Sequence, residues 1–173
     1  IELILSEASR LVQAQSCSLL LCDKAGEEFY FYLVSGRERQ ILRQLRFGTA
    51  DGIAGLVLSS GRPIIANDTQ NDPRHYDGVD RQTGFRTESL LCVPIDVSGR
   101  TVGVLEGVNS TRKERFTERD LQMLALFANF CGCAIQNANT FERQQMECQA
   151  FRVATEYKDV FIGQSPVMRK VWE

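Results

Sequence analysis

The sequence predicts an α+β domain built on one six-stranded antiparallel sheet, with the helices of the two chain ends packed on one face. Three observations carry this. Short apolar or alternating runs, bounded by Gly, Pro, Asn and Asp, recur along the chain at strand length. Stripes of helical period occupy the two ends. The order is helix, three strands, helix, strand, loop, two strands, helix, without the regular strand–helix alternation of a parallel sheet.

Residues 1–15 place Ile1, Ile4, Leu5, Ala8, Leu11 and Val12 at helical spacing, and Ser16 marks the end of that helix. Cys17 to Cys22 is a strand of the buried type, and Asp23-Lys24-Ala25-Gly26 turns the chain. Phe29 to Val34 is a second strand, rich in aromatic residues. Ile41, Arg43, Leu45 and Phe47 alternate with polar residues apart from Leu42, which predicts a third strand. Asp51 is placed to cap a short helix from Gly52 to Ser59. Gly61-Arg62-Pro63 turns the chain into a short strand at Ile64-Ile65.

Residues 67–86 are mostly polar. A structureless loop of this length is uncommon in a compact domain, so a short helix is expected within it and function is expected of it. Ser89 to Ile95 and Thr101 to Val108 form a hairpin joined at Asp96–Arg100. Thr117-x-x-Asp120 opens a long helix in the manner of a capping box, with Asp in place of Glu. Leu121, Leu124, Ala128, Cys131, Ile135 and Ala138 follow as a heptad seam that weakens after Phe141. With the stripe of residues 1–12, this seam predicts a homodimer through the N- and C-terminal helices.

The chain of 173 residues is one domain with a tail. Its 20 basic and 22 acidic residues give no footprint for nucleic acid and no basic patch for a membrane. No apolar run nears the ~20 residues of a membrane span. No signal peptide precedes the first helix, and residue 1 lies inside a helix without a cap, which reads as the cut end of a longer chain. Six cysteines at no scaffold spacing, in apolar stretches, point to a reducing cytoplasm.

Catalytic chemistry is sparse. The one histidine, His75, lies in a loop, where such a residue is more often solvated than a ligand. Cys131 and Cys133 are two apart on a helix and do not share a face. No zinc spacing, nucleophile elbow or Walker loop occurs, so the chain is read as no enzyme and as requiring no cofactor.

A binding site is better supported. Gly52-Ile53-Ala54-Gly55 starts a helix with small residues, where free N–H groups can hold a phosphate or carboxylate. A plain helix start after a turn looks the same. Thr83 and Thr87 carry hydroxyls that can donate to an anion. Glu106 sits in an apolar strand, either facing outward at an edge or placed to accept from a ligand N–H.

These residues, taken in order, resemble the GAF family, and most closely the cyclic-nucleotide-binding GAF domains of phosphodiesterases and some adenylyl cyclases. The likeness rests on Cys17-Ser18 with Asp23, Asp51 to Gly55, Tyr76 to Asp80, Thr83 to Thr87, Leu91 to Ile95 and Gly103 to Glu106, and covers residues 1–145. It implies a GAF-like sheet whose face opposite the terminal helices, with the 67–87 loop, forms the ligand pocket. The implied pocket residues are Ser18, Ile53, Ala54, Tyr76, Asp80, Thr83, Thr87 and Glu106. Ile53 and Ala54 would offer backbone groups to the ribose-phosphate, Tyr76 and Thr87 would meet the cyclic phosphate, and Ser18 would reach the base edge. Asp80, Thr83 and Glu106 would line the rest.

Two departures stand out. Asn109, Phe116 and Asp120 match a family signature, but Ser110 and Leu121 replace its Lys and Glu, so the Lys–Asp ion pair cannot form. The second strand ends Leu33-Val34-Ser35-Gly36 without the acidic residue that reads guanine in some relatives, which favours cAMP over cGMP.

The run from Phe161 to Trp172 resembles the opening of the central ATPase domain of sigma-54 transcription activators. The implied layout is a GAF sensor with a long signalling helix over 1–150, a linker over 151–160, and the first residues of an AAA+ domain over 161–173. The expected partners are a small-molecule ligand and the chain's own ATPase, with no nucleic acid contact by these residues. Other readings stay open: a sensor of another small anion such as 2-oxoglutarate, a ligand-free dimerisation module, and, less well supported, an iron gas sensor built from loop carboxylates with Cys92. A bilin photoreceptor lacks the Cys-His pair used for attachment.

Overall fold

The structure is a computed structural model that describes residues 2–35, 39–112 and 115–162. Helix α1 (Glu2–Leu11) leads into strands β1 (Ala14–Cys22) and β2 (Glu28–Val34). Helix α2 (Arg39–Leu42), strand β3 (Arg46–Gly48), helix α3 (Gly52–Ser60) and strand β4 (Ile64–Ala66) follow. A 3-10 turn at Thr69–Asn71 and helix α4 (Gly78–Thr83) precede the hairpin of β5 (Leu90–Val97) and β6 (Arg100–Ser110), and α5 spans Glu118–Ile162. The six strands form one antiparallel sheet in the order β3-β2-β1-β6-β5-β4. Residues 1–134 make one unit, which contains the whole sheet, and residues 135–173 belong to a second.

Strand periodicity separates two environments. On β1, β5 and β6, the odd-numbered residues face one side. A Cβ added to Gly107 there would touch Leu124 of α5 and Leu91 of β5, and Ser9 of α1 lies beside Cys17. The terminal helices therefore share this face. Even-numbered Leu20, Leu90, Cys92 and Val104 pack with Ile53, Ala54 and Val57 of α3 on the other. Covered on both sides, β1 is buried from Cys17 to Leu21, which explains why this run is apolar but for Ser18.

Two expectations are corrected. Residues 39–42 are helical where a strand was expected, and only Arg46–Gly48 pairs, with β2. Leu42, the residue that broke the alternation, packs on the core together with Leu45, three positions on, while Ile41 is exposed. Of the predicted seam, Leu121, Leu124, Ala128 and Cys131 are buried within the chain's own fold, while Ile135 is half-buried and Ala138 is exposed. A heptad seam and the core stripe of an amphipathic helix share the same spacing, so periodicity alone does not name the partner. The exposed apolar residues of this part of α5 are Leu126 and Phe130 instead. Positions 151–160, expected as a linker, lie within α5, and the ATPase-like run falls outside the described residues from 163 onward.

The start of α5 is the capping box that the sequence indicated. The Thr117 N–H donates to Asp120 Oδ2 (2.8 Å) and the Asp120 N–H donates to Thr117 Oγ1 (3.4 Å). Burial opposes the charge on Asp120, but Thr117 and the Arg112 guanidinium outweigh it and hold the carboxyl below its usual range. The Lys–Asp pair that Ser110 precludes is thus replaced from a position two residues on.

Helix α5 lies so close to the sheet that a Cβ on Gly132 would stand 2.4 Å from the Asp96 carbonyl oxygen. Backbone cannot yield as a side-chain tip can. Gly132→Ala is expected to destabilise the domain by about 1–3 kcal/mol, read as a lower midpoint in urea unfolding.

Candidate functional site

Helix α3 begins without the cap expected of Asp51. The Asp51 carboxylate turns back to accept from the Gly48 N–H (3.1 Å) and makes no side-chain cap bond. The first intrahelical bond runs from the Gly55 N–H to the Asp51 carbonyl (3.1 Å). The N–H groups of Ile53 and Ala54 precede that bond, and both residues line a chamber on this face of the sheet. Here the unpaired donors and the positive end of the helix coincide.

The 67–87 loop is the chamber's roof, and side-chain bonds hold it. Both oxygens of Asp80 are used: Oδ2 accepts from the Thr87 N–H and Oδ1 from the Thr87 hydroxyl, each at 2.8 Å. The Thr87 carbonyl accepts from the Thr69 hydroxyl and from Gln70 Nε2 (2.8 Å). The beginning of the roof is tied by Asn67, whose amide exchanges two bonds with the Phe116 backbone just before α5. Its end is tied by Asn109, which takes the Glu88 N–H (2.7 Å) and donates to the Arg86 carbonyl (2.9 Å). Asn109 adopts a φ of 54°, a region that Asn tolerates better than most residues.

Tyr76 closes the roof onto α3. A Cβ on Gly52, whose φ is +69°, would lie 2.7 Å from Tyr76 Cβ, so only glycine allows this approach. The Tyr76 ring stacks on Phe47 at 5.6 Å.

At the floor, the register β1–β6–β5 sets Ser18, Glu106 and Cys92 in one row. The Ser18 hydroxyl donates to Glu106 Oε2 (3.2 Å). Burial raises the Glu106 carboxyl to about 7, against the opposing effects of Ser18 and His75. Of the two readings of Glu106, outward edge or inward acceptor, the structure shows the inward one.

The cavity has a volume of about 90 Å³ counted over the positions that water centres can take. One water needs ~10–15 Å³ on that measure, so the chain's own side chains do not fill it. All eight sequence-predicted residues, Ser18, Ile53, Ala54, Tyr76, Asp80, Thr83, Thr87 and Glu106, line this one cavity. Their chemistry differs from expectation in one respect. The Thr83 hydroxyl donates to the Val79 carbonyl (2.9 Å) and that of Thr87 to Asp80, so both protons are committed and both groups face a ligand as acceptors.

His75 was expected in solvent. It lines the cavity with its side chain only 11 % exposed, and its Nε2 is 3.6 Å from Asp80 Oδ2. Polarity gave no warning, because the loop folds back over the sheet. Asp51, Phe31 and Phe47 also line the chamber. Cys92 and Cys17 are no nucleophiles: burial raises the first thiol well above its usual range and the second to about 12. Among the described residues no group of His, Cys, Asp and Glu has the arrangement of a metal site.

A model of the GAF domain matches residues 1–135. The chain is 32 % identical over 162 residues to a "Probable 3′,5′-cyclic phosphodiesterase pde-5" of Caenorhabditis elegans, covering 88 % of this chain and 22 % of that protein. It is 34 % identical over 131 residues to a "Dual 3′,5′-cyclic-AMP and -GMP phosphodiesterase 11" of Drosophila melanogaster, covering 75 % and 9 %. The chain therefore spans less than a quarter of either relative. Among solved structures, the GAF domain from a phosphoenolpyruvate-protein phosphotransferase of Coxiella burnetii superposes with a TM-score of 0.72 at 22 % identity, over 82 % of this chain and 83 % of that one.

Two outcomes follow from the site's geometry. The folded carboxyl of Glu106 lies at about 7 against 4.5 for an ordinary one, so folding favours its protonated form. The associated stability, on the order of 3 kcal/mol, is full below about pH 4.5 and is lost as pH rises through about 7. Thermal melts between pH 5 and 8.5 should fall more steeply for the native chain than for Glu106→Gln. Asp80→Ala strands two Thr87 donors and should cost about 2–3 kcal/mol, with hydrogen exchange across 69–87 accelerating more than in β1.

Proposed function

The chain belongs to the GAF domain family, and from that premise we propose that it is a regulatory sensor domain whose chamber binds a cyclic nucleotide, cAMP in preference to cGMP. The observation that carries the reading is the uncapped start of α3. It opens N–H donors into a chamber roofed by polar side chains, with a hydrogen-bonding carboxyl, Glu106, at the floor. A helix terminus of this kind suits a phosphate, and the apolar walls of Phe31, Val34 and Leu90 suit a base.

In this reading Ile53 and Ala54 hold the ribose-phosphate, Tyr76 and Thr87 flank the cyclic phosphate, and Ser18 with Glu106 meets the base edge. Ligand binding tightens the roof. The roof begins at Asn67, which grips Phe116 directly ahead of the capping box of α5, so a shift of the roof bears on that helix. The sequence run at 161–172 supports an output to a sigma-54 activator ATPase, and hence to transcription. A homodimer would use the apolar residues left exposed on the terminal helices, Leu3 and Leu11 with Leu126 and Phe130.

Calorimetric titration with cAMP, cGMP and 2-oxoglutarate tests the ligand. A cyclic nucleotide is expected to give heat and to stabilise the domain by about 2.7 kcal/mol at a hundredfold excess over Kd. Heat from 2-oxoglutarate alone would make this a carboxylate sensor, and silence from all three would leave a pairing module.

A further inference from the structure

We infer that His75 is the side chain that meets the anionic group of the ligand, turning from Asp80 toward the start of α3 when the ligand is bound. The inference rests on the sensor reading above and adds the residue that makes an acidic chamber accept an anion.

Five hydroxyl-bearing side chains line the chamber, Ser16, Ser18, Tyr76, Thr83 and Thr87, and three of them have their protons in use. The hydroxyl protons of Thr83 and Thr87 are committed to Val79 and Asp80, and that of Ser18 to Glu106. Asp51, Asp80 and Glu106 are the acidic lining residues, and neither Lys nor Arg lines the chamber. The wall repels an anion at Asp51 and Asp80 and attracts one at the N–H groups that open α3, at the Tyr76 hydroxyl and at the imidazole of His75. His75 is the one lining side chain able to carry positive charge.

Its position fits the role. The neighbouring residue, Tyr76, is pressed against Gly52 at the helix start, and His75 lines the same chamber as Gly52, Ile53 and Ala54. Its Nε2 is buried and has no hydrogen-bond partner among the described residues. Asp80 Oδ2 is 3.6 Å away, within ion-pair reach but beyond hydrogen-bond range, and already receives the Thr87 N–H. A buried, unsatisfied donor costs about as much as a lost hydrogen bond. Asp80 keeps the imidazole near without satisfying it, and rotation of the ring about its own torsions brings Nε2 to a ligand oxygen held at the N–H groups of Ile53 and Ala54.

His75 is the chain's single histidine, so its imidazole resonances in NMR are unambiguous. Titration with cAMP or cGMP should move them, and adenosine or guanosine, which lack the phosphate, should not. His75→Phe should weaken cyclic nucleotide binding roughly tenfold or more, as expected for loss of a charge-assisted bond, while nucleoside binding stays within about twofold. His75→Gln, which retains a donor without the charge, should fall between. Equal cyclic nucleotide affinity in native chain and His75→Phe, with unmoved imidazole signals, overturns the assignment. If neither cyclic nucleotide gives heat, the nucleotide reading fails by itself. Inorganic phosphate and 2-oxoglutarate at millimolar concentration then decide the His75 contact: shifted imidazole signals uphold it and unshifted ones overturn it.

Discussion

The paired bonds from Thr87 to the two oxygens of Asp80 fix the roof, and the chamber exists because the roof is fixed. The segment between Ala66 and Leu90 has little apolar surface with which to fold, so hydrogen bonds must do what packing does elsewhere. Thr87 is where they converge, since its N–H, hydroxyl and carbonyl are all engaged within the roof. This also limits what the roof can offer a ligand. Side chains used as braces present their acceptors inward and keep their protons.

An acidic chamber with few free donors is an unusual place for an anion. Two features offset the repulsion. Burial keeps the Glu106 carboxyl partly protonated near neutral pH, which removes charge from the floor. The uncapped start of α3 adds partial positive charge at the wall. Asp51 makes the second possible by bonding Gly48 instead of its own helix, an arrangement that a preference for Asp at helix starts does not reveal.

The roof and helix α5 share anchors. Asn109, Phe116 and Asp120 were singled out as a signature, and each ties one junction: the end of the roof to β6, the beginning of the roof to the approach to α5, and the first turn of α5 to Arg112. The Ser at position 110 weakens the resemblance on paper. In the fold, Arg112 restores the missing counter-charge from the other side of a turn.

Local pattern by itself determined most of the sheet and the capping box at Thr117 and Asp120, because strand alternation and turn chemistry act between near neighbours; the set of residues around the chamber came from the resemblance to the GAF family. Local pattern did not determine the partner of each apolar stripe. The spacing of Leu121, Leu124, Ala128 and Cys131 serves a coiled coil or a sheet equally well, and only the sheet's position settled it. Residues 39–42 went astray for a related reason: Leu42 and Leu45 are drawn to the core at helical spacing, and their target lies on distant strands. His75 shows the limit most plainly. Its burial follows from the roof folding back on α3, a long-range event that leaves no mark in the polar residues around it.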